Sequence, residues 1–159
     1  TNAQYCAYLN AAQDSGDIEV IVDEDWGDVQ VRGVTGDYAG HPYYVYMDGQ
    51  EGVDIQYIDG SFHVINRDGR DMSGHPAVYL SWYGAAAFCD YYGYRLPTEW
   101  EWRAIADYDG SYLYGCGTDI SIQKANYWYY TGEAYEYANP LELSNDPYTN
   151  PVGYYPAFG

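Results

Sequence analysis

Positive charge is scarce in this sequence. Six lysines and arginines stand against 24 aspartates and glutamates, so the 159 residues carry a formal net charge of −18 at neutral pH. A surface of that sign repels phosphate backbones and anionic headgroups, which argues against nucleic acid as a partner. No apolar run reaches the roughly 18 residues that cross a bilayer, so we expect no membrane span.

Cysteine is also scarce, and it follows no pattern. Cys6, Cys89 and Cys116 form an odd set without a CxxC pair or a zinc-type spacing, so neither a disulfide framework nor a zinc site is expected. The HExxH, GxSxG and phosphate-loop motifs are absent as well. His41, His63 and His75 are therefore expected to be turn or core residues rather than acid-base groups.

Tyrosine, in contrast, is abundant. The chain has 23 tyrosines, and aromatic residues make up 19% of it. A tyrosine ring can be half-buried while its hydroxyl stays hydrated, which suits ordinary sheet surfaces and also contact surfaces, including those facing sugars.

The large negative charge strains a compact state, and bound divalent cations would relieve that strain.

The stretch from His75 to Ala104 carries the clearest structural signals. Ala77–Leu80 is short and apolar, which predicts a buried strand. Ser81 is placed to cap a helix that begins at Trp82 and ends at Gly93.

A second helix is predicted directly afterwards. Pro97 disfavours helix at Leu96, and the run Thr98-Glu99-Trp100-Glu101 has the form of a capping box. Arg95 is expected to pair with a carboxylate. One face of the first helix is expected to hold Trp82, Ala85, Ala86 and Cys89.

The segments around this stretch are mostly short strands and loops. Thr1 to Ala12 is predicted to be a helix capped by Thr1, and Ile18–Val22 is predicted to pair with Val29–Val31. The acidic turn between them, residues 23–28, is expected to be solvated, because Val34 stands where an EF-hand needs glutamate. Three Asp-Gly pairs between Tyr43 and Asp71 predict a β-meander. A loop is expected from 107 to 119, and an irregular proline-rich segment from 139 to 156.

Three segments together resemble a known family. HPAVYLSWYGAAAFC followed by GYRLPTEWEW, TNAQYCAYLNA at the start and TNPVGYYPAFG at the end are similar to the formylglycine-generating enzyme (sulfatase-modifying factor) family. The resemblance implies an irregular α+β fold related to C-type lectins, with few helices, twisted antiparallel strands and long loops pinned by calcium. It implies a single domain over residues 1–159 that lacks the family's carboxy-terminal catalytic part.

The resemblance also implies a structural calcium site. Asn126 and Asp146 would bind by their side chains, and Tyr127 and Tyr148 by their backbone carbonyls. Such mixed oxygen donors suit Ca²⁺. The alternative is that Asn126 and Asp146 only cap turns. The family's copper-binding cysteines would lie beyond Gly159, so copper is expected only with a downstream catalytic half.

Two functions follow from these observations. The first is an extracellular or cell-surface module without catalysis, which contacts sugars, copies of itself or a completing chain through an acidic, tyrosine-rich surface. The second is the amino-terminal part of a copper- and oxygen-dependent oxidase that acts on sulfatase cysteines. The missing copper ligands and the extreme charge favour the first, although a fold resemblance alone does not decide function.

Overall fold

The computed structural model describes residues 1–106, 110–130, 135–137 and 140–155. Within these ranges the fold is α+β, and all strand pairs are antiparallel. The helices are α1 (Asn2–Ser15), α2 (Trp82–Tyr91) and α3 (Glu99–Ala106). The strands are β1 (Ile18–Val22), β2 (Val29–Gly33), β3 (Pro42–Tyr46), β4 (Ile55–Ile58), β5 (Ser61–Val64), β6 (Asn66–Arg67), β7 (Arg70–Asp71), β8 (Trp128–Tyr130) and β9 (Tyr135–Tyr137). None of the described helices is long and apolar enough to cross a bilayer.

Helix α1 forms as the sequence predicts and runs one turn further. The Thr1 hydroxyl accepts from the Gln4 amide at 3.3 Å, and the Gln4 side chain completes the capping box. The helix ends at Gly16, which adopts the left-handed conformation with φ 77°. The buried face contains Tyr5, Tyr8, Leu9 and Ala12, which follow one another at helical spacing.

The first three strands form one sheet in the order β1-β2-β3. The predicted hairpin of β1 and β2 is confirmed, with Val20 opposite Val31. Val31 also pairs with Tyr44 of β3 and is fully buried. The acidic turn is exposed, and the Asp23 carboxylate accepts from the amides of Asp25 and Trp26 at 3.0 and 2.8 Å.

The predicted meander is only partly right. Asp59-Gly60 and Asp68-Gly69 do close hairpins, each with positive φ at both residues. Asp48-Gly49 does not, because β3 pairs back onto β2. Tyrosine hydroxyls then join β3 to β4, since Tyr44 donates to the Ile55 carbonyl at 2.7 Å and Tyr46 accepts from the Tyr57 amide at 2.8 Å.

The predicted strand Ala77–Leu80 is wrong. Only Leu80 bridges to a strand, opposite Tyr44. Tyr79 has a φ of 61°, which interrupts an extended run, and the segment is half-buried. The predicted cap that follows is confirmed, because the Ser81 hydroxyl accepts from the Gly84 amide at 3.1 Å.

The face of α2 that holds Trp82, Ala85, Ala86 and Cys89 is only partly buried. The fully buried residues of the helix are Gly84 and Ala86, whereas Trp82 is 61% exposed. Helix α2 packs on β3, where a Cβ at Gly84 would overlap the Tyr43 carbonyl. This close approach rotates the helix so that Trp82 faces outward. As predicted, the chain leaves helical geometry at Gly93, which has a φ of 71°.

The capping box of α3 is confirmed. The Thr98 amide donates to Glu101 at 2.8 Å, and the Glu101 amide donates to the Thr98 hydroxyl at 3.3 Å. Arg95 donates two bonds to the same carboxylate, at 2.7 and 2.6 Å. The predicted loop is irregular over 110–119, and residues 107–109 lie outside the described residues. The proline-rich segment is irregular over 140–155, and 139 and 156 lie outside them.

Candidate functional site

Two loops meet where the resemblance places the metal ligands. The Asn126 side-chain amide donates a hydrogen bond to the Tyr148 carbonyl, although 22 residues separate them. Half-buried Tyr127 follows Asn126, and exposed Asp146 precedes Tyr148 on the second loop. The structure therefore brings Asn126 and Tyr148 into contact, with Tyr127 and Asp146 as their near neighbours in sequence.

The donor groups at this contact fit a hard cation. A half-turn of the Asn126 amide would direct its oxygen at the Tyr148 carbonyl oxygen, and a cation between them would remove their repulsion. Asn126, Tyr148 and Asn150 line a cavity of about 370 Å³. The Asn150 side-chain oxygen is buried without a hydrogen-bond partner among the described residues. It is a further oxygen of the kind that calcium binds.

The hairpin β6–β7 holds the proline-rich segment in place. Arg67 donates to the carbonyls of Asn145 and Pro147 at 3.5 and 2.9 Å. The Asp68 carboxylate accepts from the amide and hydroxyl of Ser144 at 2.9 and 2.7 Å. These side chains fix the second loop directly. Neither contact has a local signal in the sequence, because more than 70 residues separate each pair.

Arg67 is also part of a buried polar cluster. Its Nε lies 3.5 Å from the Asp54 carboxylate, and the two side chains are 8% and 1% exposed. The Asn2 amide donates to Asp54 at 3.4 Å and to the Met72 carbonyl at 2.9 Å. Burial raises the pKa of Asp54, while Arg67 and Asn2 act in the opposite direction. The arginine thus connects a buried carboxylate to the loop of the candidate site.

His75 has a structural role, as expected from the sequence. It is 2% exposed, and its Nδ1 lies 2.8 Å from the Thr149 hydroxyl. Burial lowers the pKa of His75, and the nearby Arg67 adds to that effect. The Val152 amide donates to the Gly74 carbonyl at 2.8 Å. Residues 74–75 therefore secure the end of the proline-rich segment.

The cysteines do not form a reactive centre in the described part of the chain. Cys6, Cys89 and Cys116 are all unpaired, and the Cys6 thiol lies 3.3 Å from the Phe62 carbonyl. Burial raises the pKa of the Cys6 and Cys89 thiols. Because the thiolate is the nucleophile and the metal ligand, these surroundings favour the inert form. The described ranges also contain no group of three His, Cys, Asp or Glu that could hold a metal ion.

Helix α3 exposes its large apolar residues. Trp100, Trp102 and Ile105, which we call the α3 apolar surface, are 75%, 65% and 85% exposed. No residue of this helix is buried. Arg103 lies 5.8 Å from the Trp100 ring centroid and 2.8 Å from Glu99. Exposure of this extent is typical of a contact surface rather than of a core element.

Comparison with known proteins gives one match that covers nearly the whole chain. Residues 1–158 match the family described as "Sulfatase-modifying factor enzyme 1-like domain". Relatives with curated descriptions include the serine/threonine-protein kinase pkn1 of Chlamydia pneumoniae, 42% identical over 55 residues, and that of Chlamydia caviae, 43% identical over 56 residues. Each alignment covers 34% of this chain and 9% of the relative. No solved structure matches this chain.

The family match agrees with the features built up from the residues. The capped helices α2 and α3 and the antiparallel strands occur together in one α+β arrangement. The motif between His75 and Ala104, on which the resemblance was based, lies within the matched residues. The chain therefore belongs to the family of sulfatase-modifying factor enzyme 1-like domains.

Proposed function

We propose that this chain is a calcium-stabilised, non-catalytic member of its family that associates through the α3 apolar surface. The observation that carries the proposal is a helix that buries nothing and exposes two tryptophans and an isoleucine. Exposed tryptophans are favoured anchors of protein interfaces, because their large rings lose much water contact on binding.

The charges around α3 favour a second copy of the chain as the partner. Each copy carries a net charge of −18, so most surfaces of two copies repel each other. The surroundings of α3 are different, because Arg95 pairs with Glu101 at 2.6 Å and Arg103 with Glu99 at 2.8 Å. This locally balanced, apolar surface permits contact between identical acidic chains.

Sedimentation equilibrium in physiological salt with calcium tests the association. We expect the unaltered chain to dimerise and the double variant Trp100→Ser, Trp102→Ser to be monomeric. The matched control is Trp26→Ser, Trp82→Ser, which removes two other exposed tryptophans, 76% and 61% exposed, and should still dimerise. A monomeric unaltered chain, or equal loss in both double variants, would refute self-association through α3.

We propose a structural calcium ion bound by Asn126, Tyr127, Asp146 and Tyr148. The contact between Asn126 and Tyr148 and the unpartnered oxygen of Asn150 support it. An ion there would neutralise charge and join the two loops. We also propose an extracellular or cell-surface location, where modules bind calcium at roughly 0.1 to 1 mM.

Calcium titration by calorimetry tests this site. We expect Asp146→Ala to abolish the binding that the unaltered chain shows. Asp25→Ala is the control, because it removes the same charge from the exposed acidic turn and should leave the affinity unchanged. Equal affinity of the Asp146→Ala variant and the unaltered chain would remove the proposal.

The relatives support the interpretation as a module. They are named serine/threonine-protein kinases, but the aligned residues are 9% of each protein. A short shared segment within a much longer chain is typical of a domain that is combined with others. We therefore do not extend kinase activity to this chain.

The alternative function is the amino-terminal part of a copper- and oxygen-dependent formylglycine-generating oxidase. Family membership over residues 1–158 favours it. Cys6 and Cys89 offer no substitute for the copper ligands, because burial raises the pKa of both thiols. An aerobic assay of the full-length gene product with copper and a cysteine-containing sulfatase peptide separates the two functions. We expect no conversion of cysteine to formylglycine, and turnover would overturn the non-catalytic proposal.

A further inference from the structure

A second cavity lies apart from the calcium loops, between α1, the loop after β2, and α2. Its volume is about 170 Å³. The cavity is lined at its base by Tyr8 and Tyr43, which are each 3% exposed. The exposed carboxylates of Asp17, Asp37 and Asp90 line its rim, and none of the described residues around it is basic.

The hydroxyl groups of the two tyrosines at the base are open to the cavity. Neither hydroxyl has a hydrogen-bond partner in the part of the chain that the structure describes, although both line the cavity. Neighbouring buried tyrosines do have partners, since Tyr5 donates to the Tyr43 carbonyl at 3.4 Å and Tyr44 to the Ile55 carbonyl at 2.7 Å. Water reaches both hydroxyls through the cavity, so each remains available to bond to a polar group that displaces this water.

The carboxylates act electrostatically on these hydroxyls. Burial raises the pKa of Tyr8 and Tyr43, and the negative charges of Asp17 and Asp90 raise both further. Asp17 is held in its ionised form, because it accepts from the hydroxyls of Ser15 and Thr35 at 2.6 and 2.5 Å, which lowers its pKa. The cavity thus combines aromatic walls with a strongly negative rim.

We propose that this cavity binds an alkylammonium group. The ammonium would donate its three N–H bonds to the rim carboxylates and the tyrosine oxygens, while its alkyl stem lies against the rings. The volume admits several water molecules or one short alkyl chain. A divalent metal fits less well, because the described residues contain no group of three acidic side chains placed to hold a metal ion. The group could come from a free diamine or from a lysine side chain.

Calorimetry with three probes in physiological salt tests this inference and identifies the source. The probes are cadaverine, Nα-acetyl-lysine amide and the uncharged pentanediol. We expect one or both amines to bind, with no signal from pentanediol. Binding of cadaverine alone identifies a free diamine, and binding of the lysine derivative alone identifies a lysine side chain; either supports the site.

Variants locate the binding within the chain. Asp90→Asn should weaken binding of the amine at least about five-fold, because it removes one partner of a charged pair near the surface. Tyr8→Phe should also weaken it, and it breaks no internal hydrogen bond. Asp14→Asn removes an exposed charge of α1 that does not line the cavity, so it should have no effect.

Three results would overturn the proposal. They are absence of binding by both amines, equal binding by pentanediol, and an equal effect of Asp14→Asn and Asp90→Asn. The last result would show that the net charge, rather than this cavity, attracts the amine. If Asp90→Asn does not fold, Asp37→Asn on the opposite rim takes its place under the same criteria.

Discussion

Gly52 contacts the loop that carries the candidate calcium ligand Asp146. Its φ is 71°, and an added Cβ would overlap the Asp146 carbonyl and the Pro147 ring. Gly60 has a φ of 88° but open space around it. Both changes to alanine should cost about 1 kcal/mol for the left-handed backbone. Gly52→Ala should cost about 1 to 3 kcal/mol more, because the loop must move.

Urea unfolding of the two alanine variants checks this prediction. Calcium titration of Gly52→Ala should also show weaker binding, whereas Gly60→Ala should bind normally. Equal losses of stability in the two variants would show that the close approach of Gly52 to the loop does not affect the free energy of unfolding.

The start of α3 should be sensitive to acid. Hydrogen bonds from Arg95, and then from Thr98, lower the pKa of Glu101 from 4.5 to about 2. Because the pKa is lowered in the folded state, Glu101 stabilises the helix start above pH 4.5 and loses this effect as the pH falls towards about 2. The hydrogen-exchange protection factors of the α3 amides, which correct for the pH dependence of the intrinsic exchange rate, should therefore fall over that interval.

Two variants distinguish the role of the Glu101 carboxylate from that of the Glu99 carboxylate. Glu101→Gln should exchange fast already at neutral pH, since it loses the pair with Arg95. Glu99→Gln leaves the capping box intact and should keep the acid transition. The rest of the molecule should be unaffected, because no residue of α3 is buried. Slow exchange of the α3 amides in Glu101→Gln would show that Glu101 does not stabilise the start of the helix.

At the scale of elements, hairpin β6–β7 should be the main support of the proline-rich loop. Arg67→Met leaves the Asp54 carboxylate buried without its cation and removes two bonds to the loop. Loss of one partner of a buried ion pair typically costs about 3 to 5 kcal/mol. Arg70→Met removes one exposed bond to the Leu141 carbonyl and should cost less than about 1 kcal/mol.

Urea unfolding measures both arginine variants, and the double variant Asp54→Asn, Arg67→Met completes the test. Because it removes the unpaired charge, it should recover part of the stability lost in Arg67→Met. If Arg67→Met cost no more than Arg70→Met, the buried cluster would not be the support described above.

Elements whose signals are local could be predicted from the sequence. The caps at Thr1, Ser81 and Thr98 and the two Asp-Gly turns depend on contacts within about four residues, and all five formed as expected. The family motif in mid-chain was equally readable, and the family match confirmed it.

Elements decided by distant contacts could not be predicted. The meander is interrupted after β3, because hydroxyls of Tyr44 and Tyr46 join β3 to β4 where backbone bonds were expected. The run Ala77–Leu80 reads as a strand in isolation, but left-handed Tyr79 interrupts it. In the candidate site, the resemblance named the proposed ligands, whereas the support by Arg67 depends on contacts across 78 and 80 residues and has no local signal.

At the scale of the whole molecule, repulsion among carboxylates should govern the response to salt. The net charge is −18, whereas the described residues contain four ion pairs, three of them at the surface. When salt screens the three surface ion pairs, the folded state loses little stability. Shortening the Debye length from about 30 Å in 0.01 M salt to about 8 Å in 0.15 M salt should relieve much more repulsion.

The thermal midpoint should therefore rise by about 3 to 6 °C between these two salt concentrations, which corresponds to roughly 1 to 2 kcal/mol for a chain of this size. The double variant Glu24→Gln, Asp25→Asn lowers the charge in the exposed acidic turn and should reduce the rise. A thermal midpoint that stays constant or falls as sodium chloride is added would mean that attraction within ion pairs outweighs repulsion among carboxylates. We expect calcium to raise the thermal midpoint further than sodium chloride does at equal ionic strength. This additional rise should disappear in Asp146→Ala, which distinguishes specific calcium binding from screening.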